Sequence, residues 1–193
     1  MFTAEFDRAG LVLSIASILI LLYYGLAMPQ FTYDFWVAFA FWAIGFFGSL
    51  YMGLTKRSAS ITLQSIFTTT VMIGVIIIVF AGINTAYGIA TQADVLIADK
   101  LLSFAIGVSE ELFFGVFLLA ILINWIGIPP LLAILLSAGS HAWYHVPNWG
   151  SNPLLLMVFV LSFTVARFIY VFVAPKVSVL LGAHGIWNFA VGG

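Results

Sequence analysis

Long apolar runs are the feature that most constrains how this chain can fold. They recur along its 193 residues, of which 64% are hydrophobic and only 7% are charged. A soluble domain carries about 25% charged residues, so this chain has too few to cover a soluble surface. A helical bundle in a bilayer needs no such cover, because lipid solvates its apolar outside. The composition therefore excludes a soluble enzyme, a disordered chain and a nucleic-acid-binding protein with a basic face.

The apolar runs predict an all-α fold, a polytopic membrane bundle of about seven transmembrane helices. Each run is long and apolar on all sides, which is typical of a membrane helix and not of a barrel strand. The first run lacks a small-residue cleavage site, so we interpret it as a retained helix and not as a signal peptide. The predicted spans cover residues 11–26, 35–54, 63–87, 101–126, 130–146, 154–174 and 177–191.

Residues 1–193 are predicted to form a single transmembrane domain, because no repeat, soluble segment or linker divides them. Cytoplasmic loops collect Lys and Arg. The cations that fall on one side of the predicted bundle are Arg8, Lys56, Arg57 and Lys176, and the opposite side has Lys100, in a predicted polar loop with Asp94 and Asp99. The sequence thus predicts a multi-pass protein of the cell membrane with a cytoplasmic N-terminus and the lipid bilayer as a partner.

Several polar residues stand inside the predicted spans or at their ends. They are Glu110, Glu111, His141, His145, Arg167, His184 and Asn188. Ionisable groups in a membrane are costly and usually face a cavity or a partner. A carboxylate can act as a general base toward water, and imidazole and amide N–H groups can stabilise an oxyanion. The alternatives are a helix-packing role for each carboxylate and an interfacial position for His145.

Helical spacing pairs these residues. His141 and His145 share one face, as do His184 and Asn188, because residues four apart are neighbours on a helix. The adjacent Glu110 and Glu111 point about 100° apart, so we expect them to have different roles.

The predicted spans also place the polar residues at different depths. At about 1.5 Å per residue, Glu110 lies about 14 Å from the outer face and His184 about 10 Å from the inner face. His145 falls near the outer end of its span. Helix tilt, a sunken start of the last span or the opposite orientation would each change this expectation.

The polar residues resemble the three motifs of the CAAX protease and bacteriocin-processing (CPBP) family, which includes CaaX prenyl endopeptidases. The family motifs EExxxR, FxxxH and HxxxN lie on three helices of a multi-span bundle. In this chain Glu110 and Glu111 come first, then His145, then His184 and Asn188. The motif-bearing part covers residues 101–193. The resemblance implies an intramembrane endopeptidase that acts on a peptide or on the C-terminus of a prenylated protein.

The resemblance also implies a role for each matching residue. Glu110 corresponds to the glutamate that activates the attacking water, and Glu111 to a supporting glutamate. His145 corresponds to the histidine that acts with Glu110 on the water. His184 and Asn188 correspond to the pair that stabilises the oxyanion. Peptide hydrolysis by this set requires no cofactor.

Two positions depart from the family pattern. Gly115 replaces the arginine of EExxxR, and His141 replaces the phenylalanine of FxxxH. We hypothesise that Arg167 pairs with Glu111 from another helix and that Gly115 leaves room for its guanidinium. The alternative is that Arg167 snorkels to the inner interface. His141 is a second supporting candidate, and Glu110, His141, His145 and His184 would also suit a metal ion such as Zn²⁺.

Four functional classes follow from this sequence. The preferred one is an endopeptidase of the glutamate type, and the second is a metal-dependent version of it. A non-catalytic CPBP-like protein, such as a bacteriocin-immunity protein or a scaffold, is the third. A transporter or proton relay is the fourth, but the chain lacks the repeat symmetry that many transporters show.

Overall fold

The chain is predominantly helical in the computed structural model, which describes residues 2–27, 32–57, 92–149 and 152–191. The predicted span at 63–87 lies outside the described residues. In chain order the elements are β1 (Ala4–Phe6), α1 (Arg8–Ala27), α2 (Thr32–Ala43), a first π-helical segment (Ile44–Gly48), α3 (Ser49–Tyr51), β2 (Thr55–Arg57), α4 (Gln92–Glu110), a second π-helical segment (Glu111–Leu118), α5 (Leu119–Asn124), α6 (Pro130–Tyr144), α7 (Val146–Trp149), α8 (Pro153–Phe172) and α9 (Val177–Val191).

Two of the described helical stretches, Arg8–Gly25 and Asp99–Asn124, are long and apolar enough to cross a membrane. Three shorter apolar helices cover Phe35–Tyr51, Leu156–Phe172 and Val177–Ala190. Large apolar side chains are exposed on most of these helices, and an apolar surface of this extent suits a lipid environment. The prediction of a helical bundle is confirmed, while the count of seven spans stays a prediction.

Two predicted loops are wrong at least in part. Helix α4 begins at Gln92, so the polar segment with Asp94, Asp99 and Lys100 is helical. That segment contains no Gly or Pro to interrupt a helix, and its charges alone do not end one. The loop predicted at 147–153 begins inside α7, because proline is tolerated in the first turn of a helix.

A short parallel sheet departs from the predicted all-α fold. Strands β1 and β2 pair with Glu5 opposite Lys56, and the backbone N–H of Glu5 donates to the carbonyl oxygen of Pro175 at 2.7 Å. Asp7, the residue directly after β1, accepts hydrogen bonds from the backbone N–H (3.1 Å) and the hydroxyl (2.6 Å) of Ser178. These contacts fix the start of α9, the helix that carries His184.

Helix α9 packs most extensively against α4, and α6 packs against α8. Glycines allow the first of these approaches. A Cβ at Gly107 would lie 2.7 Å from the Asn188 side chain, and a Cβ at Gly185 would lie 2.9 Å from Phe104 and Val108. Small residues of this kind let membrane helices approach closely. This packing brings together the polar residues of four helices, α4, α6, α8 and α9, inside the bundle.

Buried hydrogen bonds attach α1 and α2 to the bundle. The Ser17 hydroxyl of α1 donates to the carbonyl oxygen of Ala105 in α4 at 2.8 Å, and the Trp42 indole of α2 donates to the carbonyl oxygen of Ser14 at 2.8 Å. Because buried polar groups require partners, these bonds fix α1 and α2 relative to α4.

The second π-helical segment begins at Glu111, directly after Glu110. A π-helical turn widens the backbone and frequently occurs at functional sites. It packs against the first π-helical segment, where a Cβ at Gly45 would overlap the backbone of Leu112. The two π-helical segments therefore meet backbone to backbone beside the two carboxylates.

Candidate active site

Six of the seven predicted site residues meet in one cluster, hereafter the Glu-His-Arg cluster. Its members are Glu110, Glu111, His141, His145, Arg167 and His184. Five of the six are buried, and the side chain of His145 is 12% exposed. The cluster is formed by α4 with the second π-helical segment, by α6 with the residue that follows it, and by α8 and α9.

Glu110 is the meeting point of the three histidines. Its Oε2 lies 3.4 Å from His141 Nε2, 3.4 Å from His145 Nε2 and 3.7 Å from His184 Nε2. A carboxylate oxygen surrounded by imidazole nitrogens can exchange a proton with a water molecule bound between them.

Glu111 faces the other nitrogens of two of the same rings. Its Oε1 lies 3.3 Å from His141 Nδ1 and 3.4 Å from His184 Nδ1. Its Oε2 lies 3.3 Å from Arg167 Nη2. The adjacent carboxylates thus have different surroundings, since the ion pairs of Glu110 within the described residues are with imidazoles, whereas Glu111 also contacts a permanent cation.

The predicted difference in depth between these groups is wrong. His145 and His184 both lie within 3.7 Å of Glu110. The depth count used Leu101 as a membrane face, whereas α4 begins at Gln92, nine residues earlier. The first residues of the helices therefore do not lie at one common depth in this bundle.

Arg167 is completely buried in the cluster. Its Nε donates to Ser137 Oγ at 2.8 Å, its Nη1 to the Phe163 carbonyl oxygen at 3.3 Å, and its Nη2 lies 3.0 Å from His141 Nδ1. The snorkelling alternative is wrong, because the guanidinium is enclosed by the bundle. The structure contains the ion pair with Glu111 that was hypothesised from the missing motif arginine.

Gly115 provides space for Glu111 itself. A Cβ on Gly115 would overlap Glu111 Oε2 and would lie 2.9 Å from Leu180 Cδ1. The expectation that the guanidinium of Arg167 fills this space is therefore wrong, because the carboxylate folds back toward its own helix and occupies it. Arg167 reaches that carboxylate from α8.

Two aromatic rings enclose the His141 imidazole, and neither was predicted from the sequence. The Phe163 ring stacks at 4.0 Å and 5° from it, and the Phe114 ring at 4.6 Å and 11°. The position of Phe163 four residues before Arg167 was the available signal, since residues four apart share a helix face. The stacking fixes the plane of the imidazole.

Asn188, the seventh predicted residue, lies apart from these contacts. Its Nδ2 donates to the carbonyl oxygen of Ser103 at 3.2 Å. Ser103 precedes Glu110 by seven residues, which is about 10 Å along a helix. The oxyanion role of Asn188 stays a prediction.

An apolar groove of about 230 Å³ opens beside the cluster, with walls from α8 and α9. Phe159, Phe163, Leu180 and Trp187 contribute to its walls, as do the ionisable residues Glu111 and His184. An apolar group could therefore lie next to the Glu111 carboxylate without leaving an apolar environment.

Four cluster residues lie close enough together to hold a metal ion. The ligand atoms of Glu110, His141, His145 and His184 all lie within 4.8 Å of one another. Tetrahedral Zn²⁺ at its usual bond lengths requires ligand atoms roughly 3.3 Å apart. The distances of 3.4 to 3.7 Å between Glu110 and the histidines are close to this value.

Comparison with known proteins assigns the motif-bearing half of the chain to a family. The family model for the type II CAAX prenyl endopeptidase Rce1-like proteins matches residues 92–190. The match begins at the first residue of α4 and includes all seven predicted site residues. No curated protein and no solved structure matches the chain. Because the match covers just over half of its length, this chain belongs to the type II CAAX prenyl endopeptidase Rce1-like family.

Proposed function

We propose that this protein is a membrane-embedded endopeptidase in which Glu110 activates water for attack on a peptide bond. The observation that carries the proposal is the convergence of three histidine Nε2 atoms on one buried Glu110 oxygen. A general base must lie within hydrogen-bond reach of the proton it takes, directly or through one water. The family match to endopeptidases supports the same reaction.

The proposed reaction uses the cluster as follows. Glu110 takes a proton from water while the water oxygen bonds to the peptide carbonyl carbon. The C–N bond then breaks, and the proton passes from Glu110 to the leaving amine. His145, the most exposed of the three histidines at 12%, orients the water. His184 donates to the oxyanion, with Asn188 as a further donor if its side chain turns from Ser103.

The proposed substrate is a peptide or a prenylated protein C-terminus. The apolar groove supports this choice, because an apolar substituent lying there would be adjacent to Glu111 and His184. Burial of apolar surface would provide affinity, while the peptide bond enters the polar cluster.

The experiment that tests this function is a cleavage assay with purified protein in detergent or nanodiscs. The substrate is a prenylated peptide that ends in a CaaX sequence, and mass spectrometry detects its two fragments. The unprenylated peptide is the matched control for the groove. Cleavage of the prenylated peptide at a higher kcat/KM is expected. Failure of correctly folded protein to cleave either peptide would favour a non-catalytic membrane protein, such as an immunity protein or scaffold.

A metal-dependent version of the peptidase is the second candidate, favoured by the ligand spacing of Glu110, His141, His145 and His184. Catalytic zinc sites commonly have three protein ligands and one water, and zinc would supply Lewis acidity to that water. Under the preferred glutamate mechanism, cleavage survives strong chelation. Loss of cleavage on chelation, with recovery on adding Zn²⁺, would favour the metal version.

We further propose seven membrane spans, with the N-terminus in the cytoplasm of a cell-membrane protein. The excess of cations in the predicted cytoplasmic loops supports this orientation. The chain has no cysteine, so a Glu5→Cys variant can be labelled with a membrane-impermeant maleimide. Labelling in inverted vesicles but not in right-side-out vesicles is expected. The reverse pattern would contradict the orientation.

A further inference from the structure

Arg167 has a partner for each nitrogen of its guanidinium. Its Nε and Nη1 donate to Ser137 Oγ and the Phe163 carbonyl oxygen. Its Nη2 lies 3.0 Å from His141 Nδ1 and 3.3 Å from Glu111 Oε2. Because the side chain is fully buried, these contacts fix the position of the guanidinium away from bulk solvent.

The contact between Arg167 and His141 has one possible direction of donation. A guanidinium carries only N–H donors and cannot accept. At 3.0 Å from Arg167 Nη2, His141 Nδ1 is therefore the acceptor and carries a lone pair. A neutral imidazole with a lone pair on Nδ1 carries its proton on Nε2.

The opposite nitrogen of this ring faces the proposed base. His141 Nε2 lies 3.4 Å from Glu110 Oε2, and an ionised carboxylate only accepts hydrogen bonds. An Nε2–H group at this place donates to Glu110. The stacked rings of Phe163 and Phe114 keep the imidazole in the required plane.

Ser137 fixes the other side of Arg167. Its Oγ donates to the Phe114 carbonyl oxygen at 2.6 Å, so its single hydrogen is used there. The same Oγ accepts from Arg167 Nε at 2.8 Å. Donation from Arg167 therefore runs along two branches, through Ser137 to the Phe114 carbonyl oxygen and through His141 to the Glu110 carboxylate.

We infer that Arg167 is a positioning residue that fixes His141 as the Nε2–H tautomer, so that His141 donates to Glu110. The inference rests on the proposed function for its effect on catalysis, but the tautomer itself does not. A His141 that carries a proton on Nε2 does not bind metal through that atom. A metal ion in the cluster would then have Glu110, His145 and His184 as its protein ligands.

Nitrogen NMR of the purified protein with ¹⁵N-labelled histidine tests the tautomer directly. The ¹⁵N shift separates a protonated ring nitrogen from an unprotonated one, and His141→Phe identifies the signals of His141. The expected result for the unaltered protein is a protonated Nε2 and an unprotonated Nδ1. An unprotonated Nε2 would overturn the inference.

Two variants test whether Arg167 sets this tautomer. Arg167→Met should move the proton to His141 Nδ1, which would then donate to Glu111 Oε1. These two atoms lie 3.3 Å apart in the unaltered protein. Arg167→Lys should keep the proton on Nε2, because an ammonium group also only donates. An unchanged His141 tautomer in Arg167→Met would overturn the inference. If Arg167→Met does not fold, the spectra of the unaltered protein and of Arg167→Lys still decide.

Cleavage kinetics test the consequence for catalysis. Arg167→Met should lower kcat roughly 10- to 100-fold, the size of effect seen when a metal-ligating histidine loses the hydrogen-bond partner of its other nitrogen, with KM nearly unchanged. Trp42→Phe is the control, because it removes a buried hydrogen bond to Ser14 outside the cluster and should retain kcat. An unchanged kcat in Arg167→Met would overturn the positioning role. Absence of cleavage by the unaltered protein, with the expected tautomer in its spectrum, would instead refute the proposed function alone.

Discussion

Gly115→Ala is expected to destabilise this protein, although alanine is the better helix former. In a helix interior this replacement normally stabilises by about 0.5–1 kcal/mol. Here the new Cβ would overlap Glu111 Oε2 and lie 2.9 Å from Leu180 Cδ1. The Glu111 carboxylate has to move, and its contacts with Arg167 and His184 lengthen.

The magnitude follows from the two physical effects involved. Overpacking a buried site costs about 1–3 kcal/mol, and complete loss of a buried ion-pair partner costs about 3–5 kcal/mol. Because the carboxylate is displaced and not removed, we expect a net loss of about 1–3 kcal/mol. For a chain of this length, that lowers Tm by roughly 2–12 °C. The cleavage rate should fall as well, since Glu111 no longer supports the two histidines.

Gly139→Ala is the matched control for this prediction. Gly139 lies within α6, the helix that carries His141, and a Cβ there meets no atom within 4 Å. It should leave cleavage unchanged and alter the free energy of unfolding by no more than a gain of about 1 kcal/mol. Thermal unfolding by tryptophan fluorescence, with cleavage rates, measures both variants. Equal stability and activity of the two variants would refute the reasoning.

Three further predictions concern the same cluster. Arg167→Met alone should lower the free energy of unfolding by about 3–5 kcal/mol, because Glu111 stays buried without its cation. Adding Glu111→Leu should restore most of this loss. Additive losses from the two substitutions would contradict the pairing. In protein incubated with Zn²⁺, His141→Phe should bind as much zinc as the unaltered protein by mass spectrometry, because His141 carries its proton on Nε2, and lower zinc binding by the variant would argue against this. Asn188→Leu should lower kcat roughly 100-fold through loss of an oxyanion donor, and unchanged kcat with reduced Tm would assign Asn188 a packing role only.

Most of the cluster could be predicted because polar groups are costly in a membrane. Glu110, His141, His145 and His184 stand in or at the ends of apolar runs, and they require common partners in the bundle. The pairing of Arg167 with Glu111 could be hypothesised from the sequence, because a buried carboxylate without its motif arginine needs another cation, but snorkelling of Arg167 was an equal alternative. The free-energy cost of placing these polar groups in a membrane, more than their spacing along the chain, identifies them as site residues.

The detailed geometry could not be predicted in the same way. A π-helical segment starting at Glu111 shifts the phase of the helical pattern, but a run that is apolar on all sides has little periodicity in which such a shift could be detected. Stacking of Phe163 and Phe114 on His141 depends on how three helices meet. Strands of three residues, such as β1, are too short to show the alternation that predicts a strand.

The position of each helix along the bundle axis, relative to its neighbours, also could not be predicted from the sequence. Helix α4 extends back to Gln92 because charged residues without Gly or Pro do not end a helix. Depth counted from its predicted start therefore misplaced Glu110 relative to His184. The hydrogen bond between Asn188 and Ser103 likewise depends on the register between α4 and α9, which no local pattern specifies.

The cleavage rate of Glu110→Gln tests the central claim, that Glu110 is the base that activates water. Glutamine keeps the shape of the side chain but removes the basic carboxylate. In single-turnover cleavage of a prenylated CaaX peptide, Glu110→Gln should be slower by roughly 10²- to 10⁴-fold, with Tm showing that it folds. Glu5→Gln, an exposed glutamate of β1 outside the cluster, should cleave at the unaltered rate. Cleavage by Glu110→Gln at that same rate would contradict the account.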